Sequence, residues 1–408
     1  LVGSEMCIRD RFHQREDINP DVVIINTCGF IDKAKQESID TILKHAKEKD
    51  EGIIKKLFVT GCLSERYKDD LKSDIPEVDG FYGTRDLPEL LKNFEAKYRN
   101  ELLGERIITT DSHYAYLKIS EGCDRPCSFC AIPLMRGRHI SKPMEQIVLE
   151  AKNLVSNGVR EIMLIAQDST YYGIDIYKKR MFSELLNKLS DVEGLDWIRI
   201  HYAYPSGFPT DIIEVMKEKK NICNYLDIPL QHGSTRMLKI MRRGITREKT
   251  DDLIRRIRNI NPEIALRTTL IAGHPGETEE DFHEMYEFVE RSQFDRLGIF
   301  TYSHEEGTSS HKLEDDVPEN IKRSRSNKIM ALQQKISEEK NSKKVGKTFK
   351  VLIDRADSNN YYGRTEHDSP EVDNEVIIPT KEMHLRVGDF YDILITDSRE
   401  YDIIGKVV

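Results

Sequence analysis

The amino-acid sequence predicts an α/β protein in three parts: a short N-terminal βα region, a longer series of six βα units, and a small antiparallel β-barrel. Three observations carry this. Short apolar, β-branched runs alternate with helical patterns from Asp21 to about Tyr302. A polar helical stretch, about Pro318 to Lys340, leads out of that region. From about Asn341 onward, short strands are separated by turn residues, which suits a small barrel.

Bulk properties agree. The 408 residues suit two to three domains at about 150 residues each. With 38% hydrophobic and 33% charged residues the chain reads as an ordinary globular protein. No stretch approaches the ~18 consecutive apolar residues of a membrane span, and no secretory signal is visible at the N-terminus. A cytoplasmic protein without a membrane partner is expected. The net charge of −9 disfavours a chain that wraps nucleic acid and fits a small or basic partner better.

In the N-terminal region, Val22-Val23-Ile24-Ile25 reads as a buried parallel strand. A helix follows, with Ile31, Ala34, Ile39, Ile42, Leu43 and Ala46 largely on one face. The unit then repeats: strand Leu57–Thr60, Gly61-Cys62, and a helix from near Ser64. Right-handed crossovers make such strands parallel, so Cys28 and Cys62, each just past a strand end, can meet in space. A pair of core cysteines would give the same pattern.

In the central region the expected strands are Tyr114–Ser120, Glu161–Ala166, Trp197–His201, Tyr225–Leu230, Ile264–Ile271 and Arg296–Tyr302. Helical stretches lie between them, for example Met144–Val155, Met181–Leu189 and Glu279–Glu290. Such a series builds an open barrel or a doubly wound sheet, with functional groups gathered at the C-terminal strand ends. In the C-terminal region the expected strands are Phe349–Ile353, Tyr361–Thr365, Glu375–Ile378 and Asp392–Ile395.

Seven cysteines lie at 7, 28, 62, 123, 127, 130 and 223. Without export signals, clustering of this kind points to metal or redox chemistry rather than disulfides. Cys123, Cys127 and Cys130 form a C-x3-C-x2-C run just after the first central strand. Three thiolates can hold three irons of a [4Fe–4S] cluster and leave the fourth open to a ligand. A structural zinc site needs a fourth protein ligand, and the nearest candidate, His139, is nine residues away.

That run, with Phe129 before its last cysteine, resembles the radical S-adenosylmethionine (SAM) superfamily. The resemblance implies a partial barrel of six βα units, a [4Fe–4S] cluster on Cys123, Cys127 and Cys130, and SAM on the open iron. It further implies SAM-binding roles for Gln167 and Asp168 after the second strand. The turn Gly273-His274-Pro275-Gly276-Glu277 after the fifth strand resembles the family's G-x-P-G-E turn near the adenine. Taken alone, it would read as a plain βα turn.

The order of the three parts is similar to the methylthiotransferases, whose C-terminal barrel is a TRAM domain. The resemblance covers almost the whole chain from about Asp21, with expected domains at 12–108, 109–340 and 341–408. It implies a second, auxiliary [4Fe–4S] cluster with Cys28 and Cys62 as two of three ligands. Within the family, one subclass modifies adenosine in tRNA and another modifies an aspartate of ribosomal protein S-twelve. The stretches Ala131–Gly137, His201–Pro205, Pro229–His232 and Tyr401–Gly405 resemble the second. The C-terminal barrel carries three more acids than bases; RNA binding demands basic grooves, whereas acidic surface suits a basic ribosomal protein.

The expected reaction is methylthiolation of the aspartate β-carbon, with S-twelve as partner and flavodoxin or ferredoxin as electron donor. The alternatives are a tRNA methylthiotransferase, and a non-catalytic iron–sulfur module that docks on ribosomes. Deleting residues 341–408 is expected to weaken substrate binding and spare SAM cleavage.

The start of the chain departs from the family. Residues 1–11 are expected to be an assembly artefact in place of a first strand-helix unit of about thirty residues, which would bear the third auxiliary ligand. Cys7, in Glu5-Met6-Cys7-Ile8-Arg9, does not match that ligand's context, so the auxiliary cluster is expected to be incomplete. Cys223 reads as a core cysteine. His232 and His274 fit pocket and structural roles equally. Lys322–Arg325 reads as a solvated helix face.

Overall fold

A computed structural model describes residues 20–94, 110–379 and 384–408. Residues 1–11, Cys7 and the expected boundary at 108/109 lie outside the described residues. The rest forms two compact units. The smaller holds residues 20–94 with Glu121–Ile140 and Ser303–Lys312; the larger holds 110–120, Ser141–Tyr302 and most of Leu313–Val408.

The smaller unit is built on a parallel sheet, β1 (Val22–Thr27), β2 (Lys56–Gly61) and β3 (Gly80–Phe81), with β2 in the middle. Helices α1 (Asp32–Asp50) and α2 (Cys62–Asp74) follow β1 and β2. Ile25, Ile42, Leu57, Val59, Leu63 and Phe81 form the core. On α1 the buried face runs through Ala34, Ser38, Ile42 and Ala46, and Leu43, expected on it, is 50% exposed. Helix α2 starts at Cys62, earlier than expected, with no intervening loop. Gly61 permits this: its φ is +104°, and a Cβ there would lie 2.4 Å from the Thr27 carbonyl.

The larger unit carries a six-stranded parallel sheet: β4 (Tyr114–Lys118), β5 (Glu161–Ile165), β6 (Trp197–Ile200), β7 (Ile222–Asp227), β8 (Ala265–Ala272) and β9 (Arg296–Thr301). The strands lie side by side in chain order, and β4 and β9 are its two edges. The sheet is therefore open, as a partial barrel requires. Helices α3 (Met144–Ser156), α4 (Phe182–Ser190), α5 (Asp211–Glu218), α6 (Arg247–Ile260) and α7 (Glu279–Ser292) alternate with the strands and share their core through Ile147, Leu185, Ile213, Leu253 and Phe288. Strand β7 begins three residues before the expected Tyr225, so Cys223 lies inside a strand rather than after a helix. It is buried among Trp197, Tyr225 and Leu352, and burial raises its thiol pKa.

Helix α8 (Glu319–Ser342) leads to a closed barrel of β10 (Thr348–Ala356), β11 (Asn360–Arg364), β12 (Val376–Pro379), β13 (Phe390–Ser398) and β14 (Ile403–Val407). The fifth strand was not anticipated, and the β12–β14 pair is parallel while the others are antiparallel. Lys322 and Arg325 are buried, contrary to the solvated face expected of them. Lys322 pairs with Asp315 at 2.7 Å and Arg325 with Glu277 at 2.7 Å.

The segment between β11 and β12 is tied to the six-stranded sheet by buried charges. Glu161 contacts Arg199 Nε at 2.8 Å and Arg364 Nη1 at 2.7 Å, all three side chains almost wholly buried. Arg364 also holds Asp354 at 2.6 Å. Arg199 Nη1 donates to the Glu366 carbonyl at 2.6 Å, and Arg296 pairs with Asp368. Tyr225 donates to Asp373 at 2.8 Å, and Arg267 Nε lies 3.4 Å from the same carboxylate. The small barrel is thus anchored to the sheet through groups that cannot be left unpaired without a large penalty. Deleting residues 341–408 would expose them all, so the expectation that deletion spares the sheet's chemistry is not compatible with this packing.

Candidate functional site

In the smaller unit the cysteine run lies on the loop 122–131, which follows β4 in the chain. Gly122 opens it at φ +79°, and the Cys123 N–H donates to the Gly137 carbonyl at 3.1 Å. Cys130 N–H closes a tight turn on the Cys127 carbonyl at 3.3 Å. The Arg125 N–H points at Cys123 Sγ, 3.4 Å away. Cys123, Cys127, Phe129 and Cys130 are all half-buried. Among the described residues no three Cys, His, Asp or Glu side chains form a ready-made ligand group. The donor set itself, three soft thiols on one short loop reachable from solvent, fits an iron–sulfur cluster.

Cys28 and Cys62 come together as the strand pattern implies. Thr27 and Gly61 are register partners at the ends of β1 and β2, which places the two cysteines side by side. Both are buried, in a small apolar cluster with Ala34, Ala131 and Met135. Ala131 and Met135 belong to the segment just after the cysteine run, so the two cysteine groups share this neighbourhood.

In the larger unit, Gln167 and Asp168 follow β5. Gln167 Oε1 is buried without a hydrogen-bond partner, an acceptor open to a ligand, whereas Asp168 accepts from Thr170 at 2.6 Å. The 273–277 turn follows β8. Gly273 has φ +76°, and a Cβ there would come 2.2 Å from Lys322 Cγ, so this glycine admits α8 rather than a ligand. Gly276 has φ +79° and open space around it; Pro275 is buried beside it. Glu277 is fully engaged: it accepts from the Gly273 N–H at 2.9 Å and from Arg325, with His232 Nε2 at 3.2 Å. His232 and His274 are both buried, and burial lowers the His274 pKa.

His201, just after β6, opens the stretch His201–Pro205, but its surroundings are not legible in the sequence. Its Nε2 lies 3.1 Å from Ser369 Oγ, and burial beside Arg267 and Arg199 drives its pKa well down, so it is neutral. Arg66 and Glu305 carry no signal in the sequence. Neither stands in a periodic pattern or a motif, and only the fold brings them together.

Comparison with known proteins gives the family. A model of the radical SAM superfamily matches residues 117–289, a TRAM domain model matches 345–408, and a model described as uncharacterized protein family UPF0004 matches 8–83. The ribosomal protein uS12 methylthiotransferase RimO of Cytophaga hutchinsonii is 59% identical over 97% of this chain and 91% of its own length. The chain belongs to the RimO family. A second RimO, from Bacteroides thetaiotaomicron, is 53% identical over 100% of this chain and 95% of its own. Among solved structures, the radical SAM methyltransferase TsrM from Kitasatospora setae aligns over 73% of this chain and 66% of its own, with TM-score 0.52 at 14% identity. That likeness is one of fold.

Proposed function

We propose that this chain methylthiolates the β-carbon of an aspartate in ribosomal protein uS12. The observation that carries the reading is the RimO kinship over nearly the full length, together with the intact run Cys123, Cys127 and Cys130. In this reading these three thiolates hold a [4Fe–4S] cluster with SAM on its open iron; together these supply, when bound, the radical that removes hydrogen from the substrate carbon. Phe129, on the same loop, borders the bound SAM in this reading. Gln167 offers its free acceptor to SAM, with Asp168 shaping the same strand end, and Pro275 and Gly276 line the adenine side. Gly273 and Glu277 hold that turn in shape. Cys28 and Cys62 supply two of the three ligands of an auxiliary cluster, which is incomplete in this chain because Cys7 does not take the third place. The domains are taken as 12–108, 109–340 and 341–408. An electron donor of the flavodoxin or ferredoxin class and a cytoplasmic setting complete the proposal; among the described residues no helix is long and apolar enough to cross a membrane.

The test is mass spectrometry of uS12 from cells with and without the gene. A methylthio mass increment on one aspartate that requires the gene supports the reading. Unmodified uS12 in both, with methylthioadenosine in tRNA that requires the gene, would replace it by the tRNA activity.

A further inference from the structure

Residues 303–312 follow β9 in the chain but pack in the smaller unit, with the cysteines. Glu305 is the centre of that packing. It is 3% exposed, and its Oε2 lies 2.9 Å from Lys35 Nζ and 3.1 Å from Arg66 Nη1. Its Oε1 accepts from Ser303 Oγ at 2.8 Å. Lys35 sits on α1, just after the Cys28 turn. Arg66 sits on α2, one helical turn beyond Cys62.

Arg66 extends the contact to the cysteine-bearing backbone. Its Nη1 also donates to the Gly29 carbonyl at 2.8 Å, next to Cys28, and its Nη2 donates to the Glu306 carbonyl at 2.8 Å. Further along the same segment, the Ser310 N–H donates at 2.8 Å to the Ser128 carbonyl, between Cys127 and Cys130. Gly307 stands so close to Leu134 that a Cβ would lie 2.9 Å from Leu134 Cδ1. One short strap therefore touches the turn after Cys28, the helix opened by Cys62, and the loop carrying the other three cysteines.

We infer that Glu305 is a positioning residue: its carboxylate gathers Lys35 and Arg66 and thereby fixes the Cys28–Cys62 pair against the 123–130 loop, so that the two cysteine groups act in one reaction. This deepens the proposed function and rests on it. A buried carboxylate facing two cations is a specific requirement. Glutamine keeps the shape and loses the charge: Lys35 retains Asp32 at 2.7 Å, whereas Arg66, its side chain 4% exposed, keeps the Gly29 and Glu306 carbonyls but loses the carboxylate that neutralises it. The loop 122–131 keeps its own turns without Glu305, so SAM cleavage should be largely independent of it, whereas a step that needs both groups should not.

Two readouts separate these roles in the full-length chain. In the metal-free protein, alkylation of each cysteine by iodoacetamide is followed by peptide mass spectrometry, with buried Cys223 as internal reference. Glu305→Gln should raise the rates at Cys28 and Cys62 by about tenfold, through local opening, relative to Cys223, and Glu305→Asp should restore most of the protection. In the reconstituted enzyme, Glu305→Gln should keep 5′-deoxyadenosine release within about twofold while methylthio product falls about tenfold. Unchanged labelling at Cys28 and Cys62 would overturn the inference, as would a parallel fall in cleavage and product. If wild-type enzyme cleaves no SAM, the proposed function fails; in that case, or where the incomplete auxiliary cluster leaves wild type without methylthio product, the labelling rates alone decide the role of Glu305.

Discussion

Glu161 is a residue whose loss should cost the larger unit measurable stability. It stands at the start of β5, fully buried, between Arg199 at 2.8 Å and Arg364 at 2.7 Å. Glu161→Gln removes the one negative charge shared by two buried guanidiniums. Arginine cannot shed its proton to escape. Arg364 keeps Asp354 at 2.6 Å, but Arg199 is left with backbone acceptance from Glu366 and a neutral amide. Breaking a buried pair costs about 3–5 kcal/mol, and the retained amide contact puts this case at the lower end, about 3 kcal/mol. At about 2–4 °C per kcal/mol, the melting temperature should fall by about 6–12 °C. The chain's single tryptophan makes the assay specific: Trp197 is buried in β6 against Phe390 at 4.8 Å, so its fluorescence follows the larger unit alone. Asp252→Asn, which touches only exposed pairs with Arg255 and Arg256, should shift stability by less than about 0.5 kcal/mol. A Trp197 transition moved no further by Glu161→Gln than by Asp252→Asn would refute the reasoning.

Three other outcomes are expected. Cys123→Ala, Cys127→Ala or Cys130→Ala should abolish reductive SAM cleavage, measured as 5′-deoxyadenosine; wild-type release in any of them would remove the triad assignment. Truncation after residue 340 should give insoluble or unfolded protein rather than a substrate-binding defect, as judged by Trp197 fluorescence and solubility; a soluble, SAM-cleaving fragment would contradict the anchoring described for the 365–374 segment. Burial tends to raise the pKa of Asp354, but Arg364 and His113 outweigh it and hold it at about 2, below the ordinary 3.8. Its ionised form therefore stabilises the fold fully above pH ~4 and loses that contribution as pH falls toward ~2. That is about 2 kcal/mol, and Asp354→Asn should flatten urea stability between those pH values; an unchanged slope would count against it.

The parts of the fold visible in the sequence are those written in local pattern. Buried parallel strands such as Ile162–Ile165 and Leu57–Val59 are continuous apolar runs because both faces are covered. The cysteine run announces itself because cluster chemistry fixes ligand type and spacing. Strand order even predicted that Cys28 and Cys62 would meet, through the Thr27–Gly61 register. What could not be read is where charges go. Lys322 and Arg325 look like a solvated face because burial of a cation depends on a distant partner, here Asp315 and Glu277. Glu161 and Arg364 sit about two hundred positions apart and no periodicity links them. The same holds for Arg66 and Glu305. Position errors have local causes: Gly61 lets α2 begin without a loop, and β7 starts in the polar-looking Ile222-Cys223-Asn224.

The pairing of Glu161 and Arg199 with the Arg364–Asp373 segment also bears on how the chain is made. During synthesis β5 and β6 leave the ribosome long before the arginine and carbonyl groups that complete their charges. At about 5–20 residues per second, that gap lasts roughly 10–40 s. Throughout it the nascent sheet holds an arginine and a glutamate with an incomplete set of partners, which favours a loose, solvent-penetrated state. The C-terminal barrel therefore acts as the closing element of folding for the larger unit, and a chain released early should be open to chaperones and proteases.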